Sequence, residues 1–93
     1  MLTLPAQITL HEARQVRADL LQRIAAAPGT TLTVDAQALQ QVDSATLAVL
    51  LACRRQAEAR NLAWSVQGAP VHLTQLARLY GVDGLLGLQS PAA

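Results

Sequence analysis

The sequence predicts a small α/β domain in which about three helices cover a mixed or parallel sheet. Segments with the two-residue period of strands alternate with segments that have the three- and four-residue steps of amphipathic helices. Helical crossovers of this length favour parallel neighbouring strands. Apolar residues, mostly Leu, Ala and Val, make up 52% of the chain, which suits aliphatic packing of helices on a sheet. Because 93 residues suffice for only one contiguous core, we expect a single domain over residues 1–93.

The first part of the chain is predicted to contain two strands joined by a helix. Residues 2–4 alternate apolar and polar side chains, and only one short strand fits into residues 1–8. The helix is expected to begin at Thr9, because Thr9 and Glu12 have the spacing of a capping box, and Leu10 would then head its apolar face. Pro28-Gly29 ends this helix, and the β-branched segment Thr31–Asp35 is the next predicted strand.

The second part is predicted to repeat this alternation around a long central helix. We expect a polar loop over residues 36–41, a helix over residues 44–60 and a strand at Ala63–Gln67. An amphipathic helix over residues 71–80 would follow. Residues 82–88 are apolar enough for a final short strand or turn, and we expect residues 90–93 to fray.

The charge pattern argues against a nucleic acid or lipid surface as the ligand. Seven basic and six acidic residues are spread along the chain, and Arg54, Arg55 and Arg60 form only a small cluster, which we interpret as a solvated helix face. Cys53 has no second cysteine to pair with and is expected in the core. With neither a signal peptide nor a membrane-spanning apolar run in the sequence, we expect a soluble protein of a reducing cytoplasm.

The start of the central helix carries the most informative pattern. Asp43 is a favourable N-cap, and Ser44 is then the first helical residue. A helical wheel places one narrow arc toward the sheet, and this predicted core arc contains Thr46, Val49, Leu50, Cys53 and Ala57. A second row, here called the serine stripe, lies opposite and consists of Ser44, Ala48, Leu51 and Arg55, with Leu47 on its border. Its apolar first two turns predict a docking surface for another protein, or else a surface covered by the first helix or the C-terminal tail.

Several short motifs occur together in a distinctive order. They are Val34-Asp35, Val42-Asp43-Ser44 before a Leu-rich helix, residues 59–62, Gly68 and residues 76–82. In this order they resemble the STAS domains, the fold of bacterial anti-sigma factor antagonists, over roughly residues 31–88. The segment 76–82 is most similar to the last helix of MlaB-type STAS domains, which are subunits of ABC transporters that move phospholipid to maintain outer-membrane lipid asymmetry.

The resemblance implies a non-catalytic protein that works through partner binding. Ser44 occupies the position of the hydroxyl residue that a partner kinase phosphorylates in the antagonists, where phosphorylation releases the partner. In MlaB-type domains the corresponding residue lies on the surface that binds the transporter's cytoplasmic ATPase, which implies a protein peripheral to the inner membrane when in complex. The implied partner surface consists of Asp43, Ser44, Leu47, Ala48, Leu51 and Arg55, and no cofactor is implied.

Two features depart from the family pattern. STAS domains usually open with a two-strand hairpin, whereas one short strand is expected in residues 1–8, so that either the true start lies upstream or an unpaired sheet edge could accept a strand from a second copy. Ala45 and Thr46 follow Ser44 where the family often has Gly. This leaves less room for a partner's backbone and argues against phosphorylation more than against docking.

A catalytic site finds little support in the sequence. His11 and His72 are expected on the surface, without carboxylates or thiols at the spacing of metal ligands. Asp35 and Asp43 could together hold a metal, but capping of backbone amides is the commoner role. Ser44 has no identifiable base, and nothing in the sequence indicates a nucleotide or small-molecule sensor.

Overall fold

Five short strands and four helices make up the part of the chain that the structure, a computed structural model, describes, which is residues 1–88. The prediction for residues 90–93 therefore lies outside the described residues. The elements in chain order are β1 (Leu2–Thr3), β2 (Gln7–Ile8), α1 (Ala13–Ala26), β3 (Thr31–Asp35), β4 (Gln41–Val42), α2 (Ser44–Ala59), β5 (Ala63–Gln67), α3 (Val71–Leu79) and α4 (Asp83–Leu86). The predicted α/β class is confirmed.

All strand pairs in residues 1–88 are parallel. The main sheet has the order β1-β3-β5, and its register pairs Leu2 with Val34 and Val34 with Val66. A second pair joins β2 to β4, with Ile8 opposite Val42. Within the described residues β1 and β5 are the two edges of the main sheet.

One face of the main sheet is buried and the other is open and polar. Leu32 and Val34 on β3 are buried, whereas Thr33 between them points to the opposite face, where its hydroxyl lies 3.3 Å from the Ser65 hydroxyl. The helices α1 and α2 pack against each other, and α2 also contacts β5. The predicted core arc of α2 is buried as expected, and Cys53 lies within the aliphatic core.

The beginning of α1 differs from the prediction. The Thr9 amide and the Thr9 hydroxyl both donate hydrogen bonds to Glu12 Oε1, at 2.9 and 2.6 Å, but they close a turn ahead of the helix, which begins at Ala13. Leu10 lies within this turn and is 77% exposed. The prediction that Leu10 heads the apolar face of α1 is therefore wrong. The turn takes Leu10 out of the helical period that orients Leu20 and Ile24 into the core.

The short elements were also predicted incompletely. Residues 1–8 contain two strands where one was expected, and Gln41 belongs to β4 and not to a loop. Two-residue strands are too short to show a period, which is why the pattern missed them. Residues 82–88, predicted as a strand or turn, contain the short helix α4 (Asp83–Leu86). Trp64 Nε1 donates a hydrogen bond to Leu86 O at 3.0 Å, and Gly87 ends the helix with a φ of 71°.

Arg60 joins the end of α2 to the end of α1. Its guanidinium donates hydrogen bonds to the carbonyl oxygens of Ile24 and Ala27, at 2.5 and 2.9 Å. These carbonyls lie in the last turn of α1, where the helix dipole favours a positive charge. Arg54 pairs with Glu58. Arg60 is exposed, as the interpretation of the three arginines as a solvated face implies, but it is also a structural cap, which that interpretation did not include.

We expect Arg60→Ala to lower the free energy of unfolding by about 1–2 kcal/mol, because two helix-end carbonyls lose a charged donor. Urea titration followed by circular dichroism measures this change. Arg55→Ala is the matched control on the same helix, since Arg55 is exposed, and it should change stability by less than about 0.5 kcal/mol. Equal effects of the two substitutions would contradict the capping role.

The Thr9–Glu12 turn should make stability depend on pH. Hydrogen bonds from the Thr9 hydroxyl and then from the Thr9 amide hold the pKa of the Glu12 carboxyl below its ordinary value of 4.5. A lowered folded-state pKa contributes stability that is complete above 4.5 and is lost as the pH falls through the lowered value. Glu12→Gln should therefore lose less stability than the wild type below pH 4.5 in urea titrations. Thr9→Val removes the hydroxyl donor, so its loss of stability should begin at a higher pH than that of the wild type. Curves of unfolding free energy against pH that run parallel for these proteins would contradict this.

Candidate functional site

Asp43 fixes the start of α2 and ties it to the turn before α1. It has an extended backbone, with φ −147° and ψ −167°, and its Oδ1 accepts a hydrogen bond from the Ala45 amide at 2.8 Å. Its Oδ2 accepts a hydrogen bond from the Leu10 amide at 3.1 Å. Asp43 is half-buried. Both carboxylate oxygens are thus engaged within the chain, so the role of Asp43 in the site is to hold its backbone in place.

Thr46 completes this connection from within the core. The Thr46 side chain is fully buried, and its hydroxyl accepts a hydrogen bond from the Asp43 amide at 3.0 Å and donates one to the Ile8 carbonyl. The hydroxyl therefore links β2 to the first turn of α2. The sequence signal was the spacing Asp43-x-x-Thr46, a reciprocal capping box, but the bond to Ile8 spans 38 residues and has no local signal.

Ser44 is exposed at the first position of α2. Within residues 1–88 the hydrogen bonds at this helix start are made by Asp43 and Thr46, and none involves the Ser44 hydroxyl. The free amides and the dipole of a helix N-terminus favour negative charge at such a position. Ser44 is therefore exposed, and its hydroxyl takes no part in the hydrogen bonds that hold the helix start.

The serine stripe lies open between two neighbouring helices. Ala48 and Arg55 are exposed, and Leu51 is half-buried and packs against the edge of the core. The helices α1 and α4 both contact α2, yet Ser44, Ala48 and Arg55 stay exposed and only Leu51 is partly covered.

Leu47 does not belong to this accessible surface. It is 3% exposed and lies in the core. The helical period puts it on the same side of α2 as Arg54, two turns later, and Arg54 shares a cleft with Leu85 of α4. The expectation that Leu47 borders an open stripe is corrected, because α4 packs on that side of α2.

An open groove of about 620 Å³ runs beside the stripe, between the beginnings of α1 and α2. Its lining includes Leu10, His11, Arg14, Arg17, Ala45 and Ala48. The α1 residues of this lining were not among the residues predicted to form a site. Their signal would have been the turn at Thr9–Glu12, which turns Leu10 outward and starts α1 beside α2.

Further exposed apolar side chains occur on α3 and on the chain that follows it. Large apolar side chains here are exposed by half or more, and they are Val71, Leu79, Tyr80 and Leu85. Tyr80, the last residue of the segment predicted as an amphipathic helix, is 57% exposed. Trp64 is half-buried and holds α4 through its indole N–H.

The groups considered for catalysis have other roles. Asp35 Oδ1 accepts a hydrogen bond from the Gln37 amide at 3.0 Å, so both candidate aspartates cap backbone amides. His11 and His72 are exposed. In residues 1–88 no three His, Cys, Asp or Glu side chains come together as a metal site. Burial raises the pKa of the Cys53 thiol to about 11, which keeps it neutral and unreactive.

Two hydroxyls at the start of α2 should differ sharply in their effect on stability. Thr46→Val leaves the Asp43 amide and the Ile8 carbonyl without their partner, which should cost about 1–3 kcal/mol of unfolding free energy. Ser44→Ala is the matched control and should change it by less than about 0.5 kcal/mol. Thermal or urea unfolding of both variants measures the difference, and a Thr46→Val protein as stable as Ser44→Ala would contradict the linking role.

Comparison with known proteins identifies the family. No curated protein matches the sequence. The family model described as "Mlab, STAS domain" matches residues 1–88, which is nearly the whole chain. No helix among these residues is both long and apolar enough to cross a bilayer. The structure has the parallel sheet, the helical cover and the capped Asp43-Ser44 step described above. Together with the match of the family model over residues 1–88, this shows that the chain belongs to the STAS domain family and is similar to MlaB.

Proposed function

We propose that this protein is a non-catalytic STAS subunit that binds and regulates the cytoplasmic ATPase of an MlaB-type phospholipid ABC transporter, and so serves outer-membrane lipid asymmetry. The observation that carries the proposal is the serine stripe: Ser44 and Ala48 are exposed, and the apolar Leu51 beside them is only half-buried. The family match supports a protein that acts through protein–protein contacts.

The composition of the stripe favours a protein partner. The exposed side of a helix normally carries charged residues, whereas the first two turns of α2 present a hydroxyl and small or aliphatic side chains. A partner helix or strand can approach closely over Ala48, and Leu51 offers an apolar contact at the rim of the core. The exposed apolar residues of α3, Leu79 among them, provide a second contact region.

The rigidity of the helix start favours regulation by docking. Asp43 and Thr46 hold the first turn of α2 against β2, so the contact surface exists before the partner arrives. A preformed surface loses little conformational entropy on binding. In the proposed complex the subunit lies in the cytoplasm, peripheral to the inner membrane, and stabilises one arrangement of the ATPase.

A second candidate function is that of an anti-sigma factor antagonist switched by phosphorylation at Ser44. The observation that favours it is the exposed hydroxyl at the first position of α2, where a phosphate is electrostatically favourable. Ala45, half-buried directly after Ser44, restricts the approach of a kinase backbone. Intact-mass measurement on protein from the native host tests the switch, which requires a phosphorylated population.

A homodimer through the sheet remains a further proposal about partners. Within the described residues, β1 and β5 are each hydrogen-bonded along one side only. Such edges pair readily with a strand of another chain. Light scattering on the purified protein distinguishes a dimer from a monomer.

We expect Ser44→Glu and Leu51→Arg to abolish co-purification with the transporter ATPase while the protein stays folded. Each change places a hydrated charge in an apolar contact, which costs several kcal/mol if the charge is buried without a partner. The measurement is affinity co-purification of the ATPase from cells that express both proteins, together with the circular dichroism of each variant.

Matched variants separate binding from folding. Ser65→Glu puts the same charge on an exposed serine of the open sheet face and should bind normally. Because Leu51 also packs against the core, Ala48→Arg serves as a second stripe variant at a fully accessible position. Normal co-purification by Ser44→Glu and Ala48→Arg would refute the proposed interface.

A further inference from the structure

We propose that the groove between α1 and α2 receives an acidic segment of the protein partner, in which an aliphatic side chain is flanked by carboxylates. This inference rests on the proposed function, because it names the chemistry of the partner at the side of the serine stripe. Ala48 belongs to both the stripe and the groove lining, so the two form one continuous surface.

The apolar part of the groove has a defined geometry. Ala45 and Ala48 leave the backbone of α2 accessible, and Leu10 is 77% exposed beside them. A hydrogen bond fixes the backbone of Leu10 in this position, since its amide donates to Asp43 Oδ2 at 3.1 Å. An aliphatic side chain of a partner can pack against Leu10 and the two alanines and remove this apolar surface from water.

The charges around the groove specify the sign of the charge that a partner segment carries there. Arg14 and Arg17 line it and are exposed, and within residues 1–88 neither forms a salt bridge. Further along α1, Arg23 differs, because it pairs with Asp19 at 3.2 Å. His11 lies beside Arg14 and Arg17 in the groove lining.

The carboxylates next to the groove are already engaged. Glu12 accepts hydrogen bonds from the amide and the hydroxyl of Thr9, and Asp43 accepts them from the amides of Leu10 and Ala45. These bonds engage both oxygens of Asp43 and one oxygen of Glu12, which weakens their competition for the two guanidinium groups. Carboxylates of a partner therefore meet unpaired arginines at the rim of an apolar groove, which favours an acidic segment over a basic or neutral one.

The test measures binding of the purified transporter ATPase to the full-length protein by biolayer interferometry at several salt concentrations. Arg14→Gln and Arg17→Gln should each weaken binding roughly three- to tenfold at low salt, mainly through slower association, and should flatten the salt dependence. Arg23→Gln removes one charge from the same helix outside the groove and should stay within about twofold. Leu10→Ser should weaken binding about tenfold without a change in stability, because Leu10 is exposed.

The outcomes separate this inference from the proposed function. Binding that Ala48→Arg abolishes but that Arg14→Gln, Arg17→Gln and Leu10→Ser leave intact would overturn the acidic-segment inference alone. No binding of the ATPase by the wild type would overturn the proposed function and this inference with it. Arginine-dependent binding to phosphatidylglycerol vesicles, with unchanged ATPase affinity, would assign the cations to a lipid surface and would likewise overturn the inference.

Discussion

The buried hydroxyl of Thr46 is the constraint on which the candidate site depends. It connects the Ile8 carbonyl at the end of β2 to the Asp43 amide at the start of α2, two points far apart in the sequence. Asp43 extends the connection to the Leu10 amide. A polar group with no exposure to water is costly unless its hydrogen bonds are made, so this geometry is strongly specified. The position of the exposed surface follows from contacts that lie beneath it.

This arrangement gives the residues at the start of α2 two different roles: some fix the helix to the rest of the fold, and others are exposed at the surface. Asp43 and Thr46 point their polar atoms inward, while Ser44 between them makes no side-chain hydrogen bond within residues 1–88. Chemistry at Ser44 is thereby separated from the stability of the fold. A surface that must bind, release or be modified benefits from this separation, because changing the contact does not change the scaffold.

The sequence alone was sufficient to predict an element where its pattern is local and repeats several times. The five-residue strands Thr31–Asp35 and Ala63–Gln67 and the core arc of α2 were predicted correctly, since alternation and the helical period each repeat several times there. The two-residue strand Gln7–Ile8 carries no such repetition. The exposure of Leu10 and the capping of α1 by Arg60 depend on partners more than thirty residues away, which no local pattern encodes.

Electrostatic repulsion links the proposed contact at Ser44 to the proposed acidic segment in the groove. Ser44 directly precedes Ala45, and Ala45 lines the groove with Arg14 and Arg17. Charge interactions at physiological ionic strength extend about 8 Å, so a phosphate or carboxylate at Ser44 would lower the positive potential at the groove as well as add a hydrated charge to the stripe. A single negative group would thus oppose an acidic partner by repulsion and an apolar contact by desolvation. A negative group at this one position would for that reason be an effective way to release such a partner.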